Sequence, residues 1–475
     1  MWASNHGSAT SWPRPACRWI PIPWSPPWTS TSISARKLPP AVWEREGAAV
    51  AATRSSGSAV RGALAAACGL LGVGGARAQA TEVQTAVLGY SEPGRVTAFE
   101  GIVDASHTLL NGKTLTGHLV FDTLTGASAN GAVPTGGIQT FTSPSGESNY
   151  QTEAGKTPLD STFKDTRAAL NLGLSTPFDR LTAWGAGVYF SGEHDYTSLG
   201  ANTSLTRDFN RKNTTLALRA SYYGDSISPV GGRPIPFAAM VAPDIAQPRQ
   251  NGNGTKNTLD LTFGLTQALS RRTIFAVNFT HSRVRGYQTD PYKVLSLVDD
   301  VTGSPLDYLY ESRPDARNKD MVFATLARHI GGDDVHLSYR YFTDDWGVAS
   351  HTADFRYRWH AGSDWYLQPH VRYTRQTRAD FYRRFLVSGE PLPETASADY
   401  RLADMKGWTA GLQYGRRLAS GHDLTLRAEY FRQTNSGAGT TTFGDLAGYD
   451  LFPAVDAIIL QVGYSLDLGV DGRSG

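Results

Sequence analysis

From Thr81 onward the sequence alternates apolar and polar residues with a period of two, and that alternation excludes most folds, because it puts successive side chains on opposite faces of a strand. In "NTTLALRASYYGDS", Leu216, Leu218, Ala220 and Tyr222 share one face, and Thr215, Ala217, Arg219, Ser221 and Tyr223 share the other. The same dyad sets Leu259, Leu261, Phe263 and Leu265 against Asp260, Thr262, Gly264 and Thr266. It sets Val335, Leu337, Tyr339 and Tyr341 against His336, Ser338 and Arg340, and it sets Phe355, Tyr357 and Trp359 against Asp354, Arg356, Arg358 and His360. Helical periodicity is hard to find.

Counting these segments gives about sixteen strands, within a range of about 14 to 18. They fall near 82–91, 95–110, 113–125, 162–176, 181–196, 198–210, 213–227, 256–269, 272–289, 319–330, 334–346, 349–360, 364–382, 402–419, 422–436 and 456–469. The connections then sort into two kinds. "LNGK", "TPFDR", "FNRKN", "LSRR", "IGGDD", "HAGSD" and "LASGHD" are short, and each joins an even strand to the next odd one. Every long connection, near 126–161, 228–255, 290–318, 383–401 and 437–455, belongs to the other set. An even strand count with short turns at one end and long loops at the other predicts a transmembrane antiparallel β-barrel of the bacterial outer membrane, all-β, with short periplasmic turns and long extracellular loops. Lipid offers the backbone no hydrogen bonds, so a sheet crosses it only by closing on itself. A soluble propeller would also alternate, but it would bring a repeat of about forty to fifty residues, and none is found. Trp184, Tyr189, Trp346, Trp359, Trp365 and Trp408 fall near strand ends, where aromatic girdles meet the headgroups.

The N-terminus reads as two pieces. Residues 1–49 carry six of the eleven Trp and eight Pro without periodicity, which predicts a disordered or non-native upstream extension. From Val50 the pattern changes: Arg54 and Arg61 precede "GALAAACGLLGVGG" and then Ala76-Arg77-Ala78-Gln79-Ala80, the pattern of a secretory signal peptide over 50–80 with an Ala-x-Ala site at Ala78 and Ala80. Cys68 as a lipid-modified cysteine would need an aliphatic residue three places earlier, where the chain has Ala65. The barrel is expected over 81–475, in the outer membrane, with both termini periplasmic. After Cys68 there are no thiols, so the barrel has no disulfides and no Cys-based zinc sites. A net charge of +2 gives no footprint for nucleic acid, and no apolar run is long enough for a transmembrane helix.

One stretch carries a family likeness. "VFDTLTGASANGAVP", followed by "QTFTSPSG", with Asp122, Thr125, Gly126, Ala127, Ser128 and Pro134 at the matching positions, resembles the segment that marks the family of Gram-negative outer-membrane proteins catalogued as domain of unknown function 3570. "GEHDYTSLGANTSLTRDFNRKNTTL" is similar to that family's fifth-to-seventh-strand region, so the resemblance covers nearly all of the expected mature chain. It implies an outer-membrane barrel without an established activity. The last strand departs from the usual barrel pattern, since "IILQVGYSLDL" is followed by "GVDGRSG" and does not stop on an aromatic residue.

A barrel of this size leaves an aqueous channel unless loops fill it. The faces opposite the apolar ones on strands eleven to fifteen carry His336, Arg340, Arg356, Arg358, His360, His370, Arg372, Lys406, Arg427 and Glu429, which predicts a basic, pore-lining wall that favours anions. The alternative is that these Arg pair with Asp354 and Glu429 and hold the wall rigid. The longest loop, from Gly126 to Ser161, is rich in Gly, Ser and Thr; its segment Gly126, Ala127, Ser128, Asn130, Pro134 and Phe141 is expected to fold inward as a constriction opposite Arg356, Arg358 and Arg372. The expected function is a porin-like channel for small polar or anionic solutes. The rivals are a plugged surface-binding or scaffold barrel with a periplasmic or extracellular partner and, less favoured, a barrel hydrolase. For the hydrolase, His194-Asp195, His422-Asp423 and the trio His351, Asp354 and His360 supply residue types but no nucleophile, base and orienter in mutual reach. No catalytic, cofactor-binding or metal-binding residues are assigned; the acidic pairs Asp299-Asp300, Asp333-Asp334 and Asp344-Asp345 read as hydrated turns. The expected partners are outer-membrane lipid, small solutes and the barrel-assembly machinery, with no nucleic acid; the oligomeric state is not legible.

Overall fold

The computed structural model describes residues 78–467, apart from 127, 143–148, 161–163, 243–244, 247 and 438. The upstream extension, nearly all of the signal-peptide segment, and "GVDGRSG" lie outside the described residues. Sixteen strands close into one barrel: β1 (Ala78–Ser91), β2 (Val96–Leu109), β3 (Thr114–Gly126), β4 (Lys164–Pro177), β5 (Thr182–Gly192), β6 (Tyr196–Phe209), β7 (Thr214–Ile227), β8 (Gly254–Ser270), β9 (Thr273–Gly286), β10 (Ala316–Ile330), β11 (Asp333–Asp344), β12 (Ala349–Arg358), β13 (Trp365–Gln376), β14 (Met405–Arg417), β15 (Asp423–Asn435) and β16 (Val455–Asp467). Each strand pairs antiparallel with its neighbours in sequence, and β1 closes the ring on β16 from Glu82↔Asp467 to Ser91↔Ile458. The expected all-β barrel and its strand count are therefore what the chain forms.

Closure satisfies the backbone of every strand from both sides, as a membrane requires. The alternation assigns the faces. Leu199, Leu218, Leu261, Phe355, Leu412 and Leu460 stand exposed on the outside, while Ser198, Ser221, Asp260, Asp354 and Thr409 are buried on the inside. Polar inside and apolar outside is the reverse of a soluble protein, and it is the arrangement that lipid stabilises.

Strands thirteen and fourteen are shorter than the alternation predicts: β13 stops at Gln376 and β14 starts at Met405. The apolar run that extended the expected strand turns away from the wall. The Ala379 N–H donates to the Leu402 carbonyl at 2.8 Å, and Phe381 and Tyr382 pack with Trp346, Val348 and Leu402. This run belongs to a second body, built from the described residues of the long loops within 128–160, 228–253, 287–315, 377–404 and 436–454. Its frame is a small sheet of Val294–Val298, antiparallel to Pro305–Tyr310 and parallel to Leu386–Val387. Around it lie apolar clusters of ordinary globular kind: Ala132, Phe141, Tyr150, Val294 and Tyr310 in one, Leu295, Leu309, Leu386, Ala396 and Ala398 in the next, and Val133, Val298, Leu446 and Leu451 in a third. The loops thus form a folded cap.

Candidate functional site: the lumen wall and the cap across the mouth

On the inner wall, cross-strand register brings the charged residues of β12 to β15 into one cluster. Asp354 faces Arg372, Arg356 faces His370, and His370 faces Gly411, which in turn faces Glu429. His370 is 3% exposed, and its Nδ1 lies 2.8 Å from Glu429 Oε1 and its Nε2 2.8 Å from Asp354 Oδ2. The ring thus bridges the two carboxyl groups. Glu429 reaches His370 across an intervening strand because that strand has glycine there; a Cβ at Gly411 would sit 2.4 Å from Glu429 Cγ. Arg372 donates to Asp354 at 2.9 Å, and Arg356 lies 3.3 Å from the same carboxylate. Arg427 bonds Gln461 and lies 3.6 Å from Glu429.

The other expected wall residues are placed nearby. Arg358 donates to Gln368 at 2.9 Å with its guanidinium 4.3 Å above the Tyr366 ring, and Arg340 reaches Thr352 at 3.5 Å. His336 sits on β11 beside Arg356. His360 lies beyond the end of β12 in a short turn, 3.8 Å from Asp334. Lys406 lies on the outer face with Trp408, because β14 presents its even positions outward. The mutual pairing of Arg356, Arg372 and Arg427 with Asp354, Glu429 and Gln461 is the geometry found. His351 points outward, with its Nδ1 2.6 Å from the Tyr339 hydroxyl, while Asp354 points inward, so His351, Asp354 and His360 are not brought together. Among the described residues, no group of three or more His, Cys, Asp or Glu side chains could hold a metal ion.

The loop candidates sit in the cap. Gly126 ends β3 at a positive φ of 128°, where a Cβ would lie 2.1 Å from the Arg95 carbonyl oxygen, so only glycine fits. Ala127 lies outside the described residues, and Ser128 begins a two-residue strand paired with Leu159–Asp160. Asn130 donates to the Tyr150 hydroxyl at 2.8 Å and accepts from the Ala132 N–H; its carbonyl accepts from the Val294 N–H. Pro134 is fully buried, and Phe141 packs on Tyr150 and Tyr308. The segment is held by its own loop, through Tyr150 and Leu159–Asp160, by Met240 of the loop 228–253, and by Ser296, Tyr308 and Arg384 of the loops 287–315 and 377–404.

The segment that crosses the mouth is Asp399–Leu402. The Arg95 guanidinium lies 5.8 Å over the Tyr400 ring, Asn435 donates to the Tyr400 carbonyl, and Gln376 donates to the Arg401 carbonyl at 2.8 Å. On the other side, Asp399, Arg401 and Leu402 share a cleft with Tyr196, Ile227, Lys256, Arg317 and Trp346. These contacts reach the long-loop ends of β6, β7, β8, β10, β13 and β15, the loop between β1 and β2, and the turn between β11 and β12.

A buried charge network fixes that segment. Arg401 lies 2.5 Å from Asp399 and 3.0 Å from Asp290. Arg313 lies 2.8 Å from Asp399 and 2.6 Å from Glu311, which also accepts from Ser397 and from the Asp290 N–H. Burial raises the Asp399 carboxyl, but the Arg401 and Arg313 guanidinia outweigh it and hold that carboxyl well below the usual range. Burial pushes the Glu311 carboxyl up and the Lys293 ammonium down. Lys293 donates to the Ala129 carbonyl at 2.5 Å, and Arg384 donates to the carbonyls of Gly131, Ala132 and Leu451, so two buried cations stitch separate loops together. None of these residues stood out in the sequence. The available signal was the apolar runs "VLSLV" and "YLY", which a plain surface loop has no use for.

A family model described as a protein of unknown function (DUF3570) matches residues 61–466. No curated protein sequence matches the chain. The structure is similar to CdiB from Acinetobacter baumannii, with a TM-score of 0.41 and 8% identity, over 81% of this chain and 60% of that one. It is similar to the siderophore receptor PirA from the same organism, with a TM-score of 0.39 and 9% identity, over 83% of this chain and 60% of that one. A BenF-like porin from Pseudomonas fluorescens Pf-5 matches with a TM-score of 0.37 and 10% identity, over 82% of this chain and 99% of that one. The chain thus spans about three fifths of the length of CdiB and PirA.

Proposed function

Because the chain belongs to the DUF3570 family of proteins of unknown function, a family of transmembrane β-barrels, we propose that it works as a capped surface barrel and not as a general porin. Its long loops present a recognition or scaffold surface to a partner, and its cap obstructs the channel. In this reading the chain is exported through the signal-peptide segment, both termini are periplasmic, the cap faces outward, and the protein acts by binding without catalysis. One observation carries it: Asp399–Leu402 lies across the mouth and is held there by buried ion pairs to Asp290 and Arg313. Conformational order of that kind is costly, and a loop that merely decorated an open pore would have no reason to bear the cost.

A second reading, passage of small polar or anionic solutes, is favoured by the side chains of Arg356 and Arg372, which stay 22% and 17% exposed within the lumen although both pair with Asp354. Planar-bilayer recording separates the two. The intact protein is expected to give no steady current, and a variant with residues 380–401 replaced by a short Gly-Ser linker is expected to open. Steady conductance from the intact protein would overturn the capped reading, and anion selectivity lost in Arg356→Gln/Arg372→Gln would establish the second.

A further inference from the structure

The outer, lipid-facing surface carries two facing cations, Arg375 and Lys406, with a histidine beside them, that none of the above uses. His351 on β12 is in register with Arg375 on β13, and Arg375 is in register with Lys406 on β14. All three are exposed, and all three lie on the face that carries Phe355, Val371 and Leu412. Neither Arg375 nor Lys406 has a hydrogen-bond or ion-pair partner among the described residues. Like charges directly opposite each other on neighbouring strands repel, and here no acid on the same row offsets them.

The surroundings show what would. One residue pair lower on the same strands lie Tyr339, Ala353, Tyr373 and Trp408, in mutual register, with the Tyr373 and Trp408 rings 4.5 Å apart. On β13 the opposite aromatic end is Trp365, eight positions away, with Leu367, Pro369 and Val371 between. At about 3.3 Å per residue and the usual strand tilt, that spans roughly 20 Å, close to the height of an apolar belt between two headgroup layers. The cation pair therefore stands at headgroup level on the long-loop side, directly above surface made for acyl chains. The adjacent strands β13 and β14 set the two cations about 5 Å apart. On β6 to β8 the corresponding outer row is Thr197, Ser226 and Thr255, in register and uncharged, so the rim is not basic throughout; β9 also places Arg283 and Arg285 outward, but on one strand and not as a cross-strand pair.

We propose that Arg375 and Lys406 form a docking site for one membrane lipid with a phosphate-bearing headgroup, whose phosphate lies between these two cations and whose chains lie along Val371 and Leu412. A lipid supplies both halves of the complementarity, anion above and hydrocarbon below; a free phosphate supplies only the first. The site is independent of whether the cap closes the channel.

The test uses the full mature protein in neutral detergent, with bis-phosphorylated lipid A as probe and native mass spectrometry as readout. Lipid A is expected to remain bound, while its dephosphorylated form and inorganic phosphate are not. Arg375→Gln/Lys406→Gln is expected to bind roughly 30-fold more weakly, as removal of two cations beside an anionic headgroup implies. Arg271→Gln/Arg272→Gln, at the opposite rim, is expected to leave binding unchanged. Equal binding of dephosphorylated lipid, displacement by inorganic phosphate at the same concentration, or equal losses in the two double variants would each overturn the assignment. If Arg375→Gln/Lys406→Gln fails to assemble, the dephosphorylated-lipid and phosphate arms on the unsubstituted protein still decide it.

Discussion

In the barrel wall the large apolar side chains stand outside, whereas in the cap, joined to the same strands by a few residues, they are packed inside. Leu460 of β16 is 57% exposed; Val294, Leu295 and Val298 of the cap are 0% exposed. The chemistry is the same, and the solvent differs. The wall faces lipid, where exposed leucine loses nothing, and the cap faces water, where apolar area is driven inward at about 25 cal/mol per Å². Charges follow the same division. Both regions pair them, but in the wall they line a lumen, with Arg356 and Arg372 still partly open to it, while Glu311 and Asp399 are completely enclosed.

The comparison can be broken most sharply in the cap. Asp399→Ala would leave Arg313 and Arg401 without their shared carboxylate, and loss of one partner of a buried pair costs about 3–5 kcal/mol. The cap is then expected to lose hydrogen-exchange protection and become protease-sensitive, while the barrel keeps its heat-modifiable migration in gels. Simultaneous loss of both would show that cap and barrel fold as one unit.

A smaller effect tests the identity of the two solvents. Leu460→Arg places a charge near mid-height on the lipid face and is expected to cost about 2–4 kcal/mol in refolding into vesicles, whereas Val301→Arg on the cap is expected to stay within about 0.5 kcal/mol. Val301 is 75% exposed, more than Leu460, so a ranking by exposure alone would fail.

A pH dependence is expected at the seam. Asp195, at the rim between β5 and β6, accepts from the Tyr292 hydroxyl of the cap at 2.5 Å. Burial pushes its carboxyl up to about 8, against the pull of that hydroxyl and with Asp165 and Asp290 adding to the rise. A carboxyl raised in the folded state holds its proton where the unfolded chain has lost it, so its contribution is full below about pH 4 and fades as pH rises toward 8. Cap protection should thus be greater at pH 5 than at pH 8, and Asp195→Asn should flatten the difference. A steeper loss of protection at low pH would assign the dependence to the ion pairs of Asp399 instead.

The wall was legible because its signal is local. A strand with one face in lipid must alternate, and a β-barrel in a membrane must close, so strand number, order, antiparallel pairing and the division into short turns and long loops all follow from residues near each other in sequence. The exposed positions of Trp184, Trp359, Trp365 and Trp408 and the inward set His336, Arg340, Arg356, Arg358, His370, Arg372 and Arg427 were readable for the same reason. Trp346 and Tyr189 are corrections: Trp346 is buried against Phe381 in the cap, and Tyr189 packs on the inner wall. The Lys406 assignment also fails, because one residue of register turns a side chain to the opposite face. What the sequence left open between a free basic wall and paired arginines depended on distances across strands. Glu429 meets His370 only because Gly411 lies between them.

The cap is different in kind. Asp290, Glu311 and Asp399 lie in separate stretches of the chain, and the apolar runs beside the first two do not say which residues they will meet. Nothing periodic marks them, because irregular backbone imposes no repeat on its side chains. Sequence alone determined that this chain makes a closed, lipid-facing sheet, since one solvent acts on every strand and writes the same alternation into each. Only the tertiary structure decided that five separate loops fold together over the mouth and which residue, Asp399, lies at their centre, since those contacts exist only once the barrel has brought the loop ends to one rim.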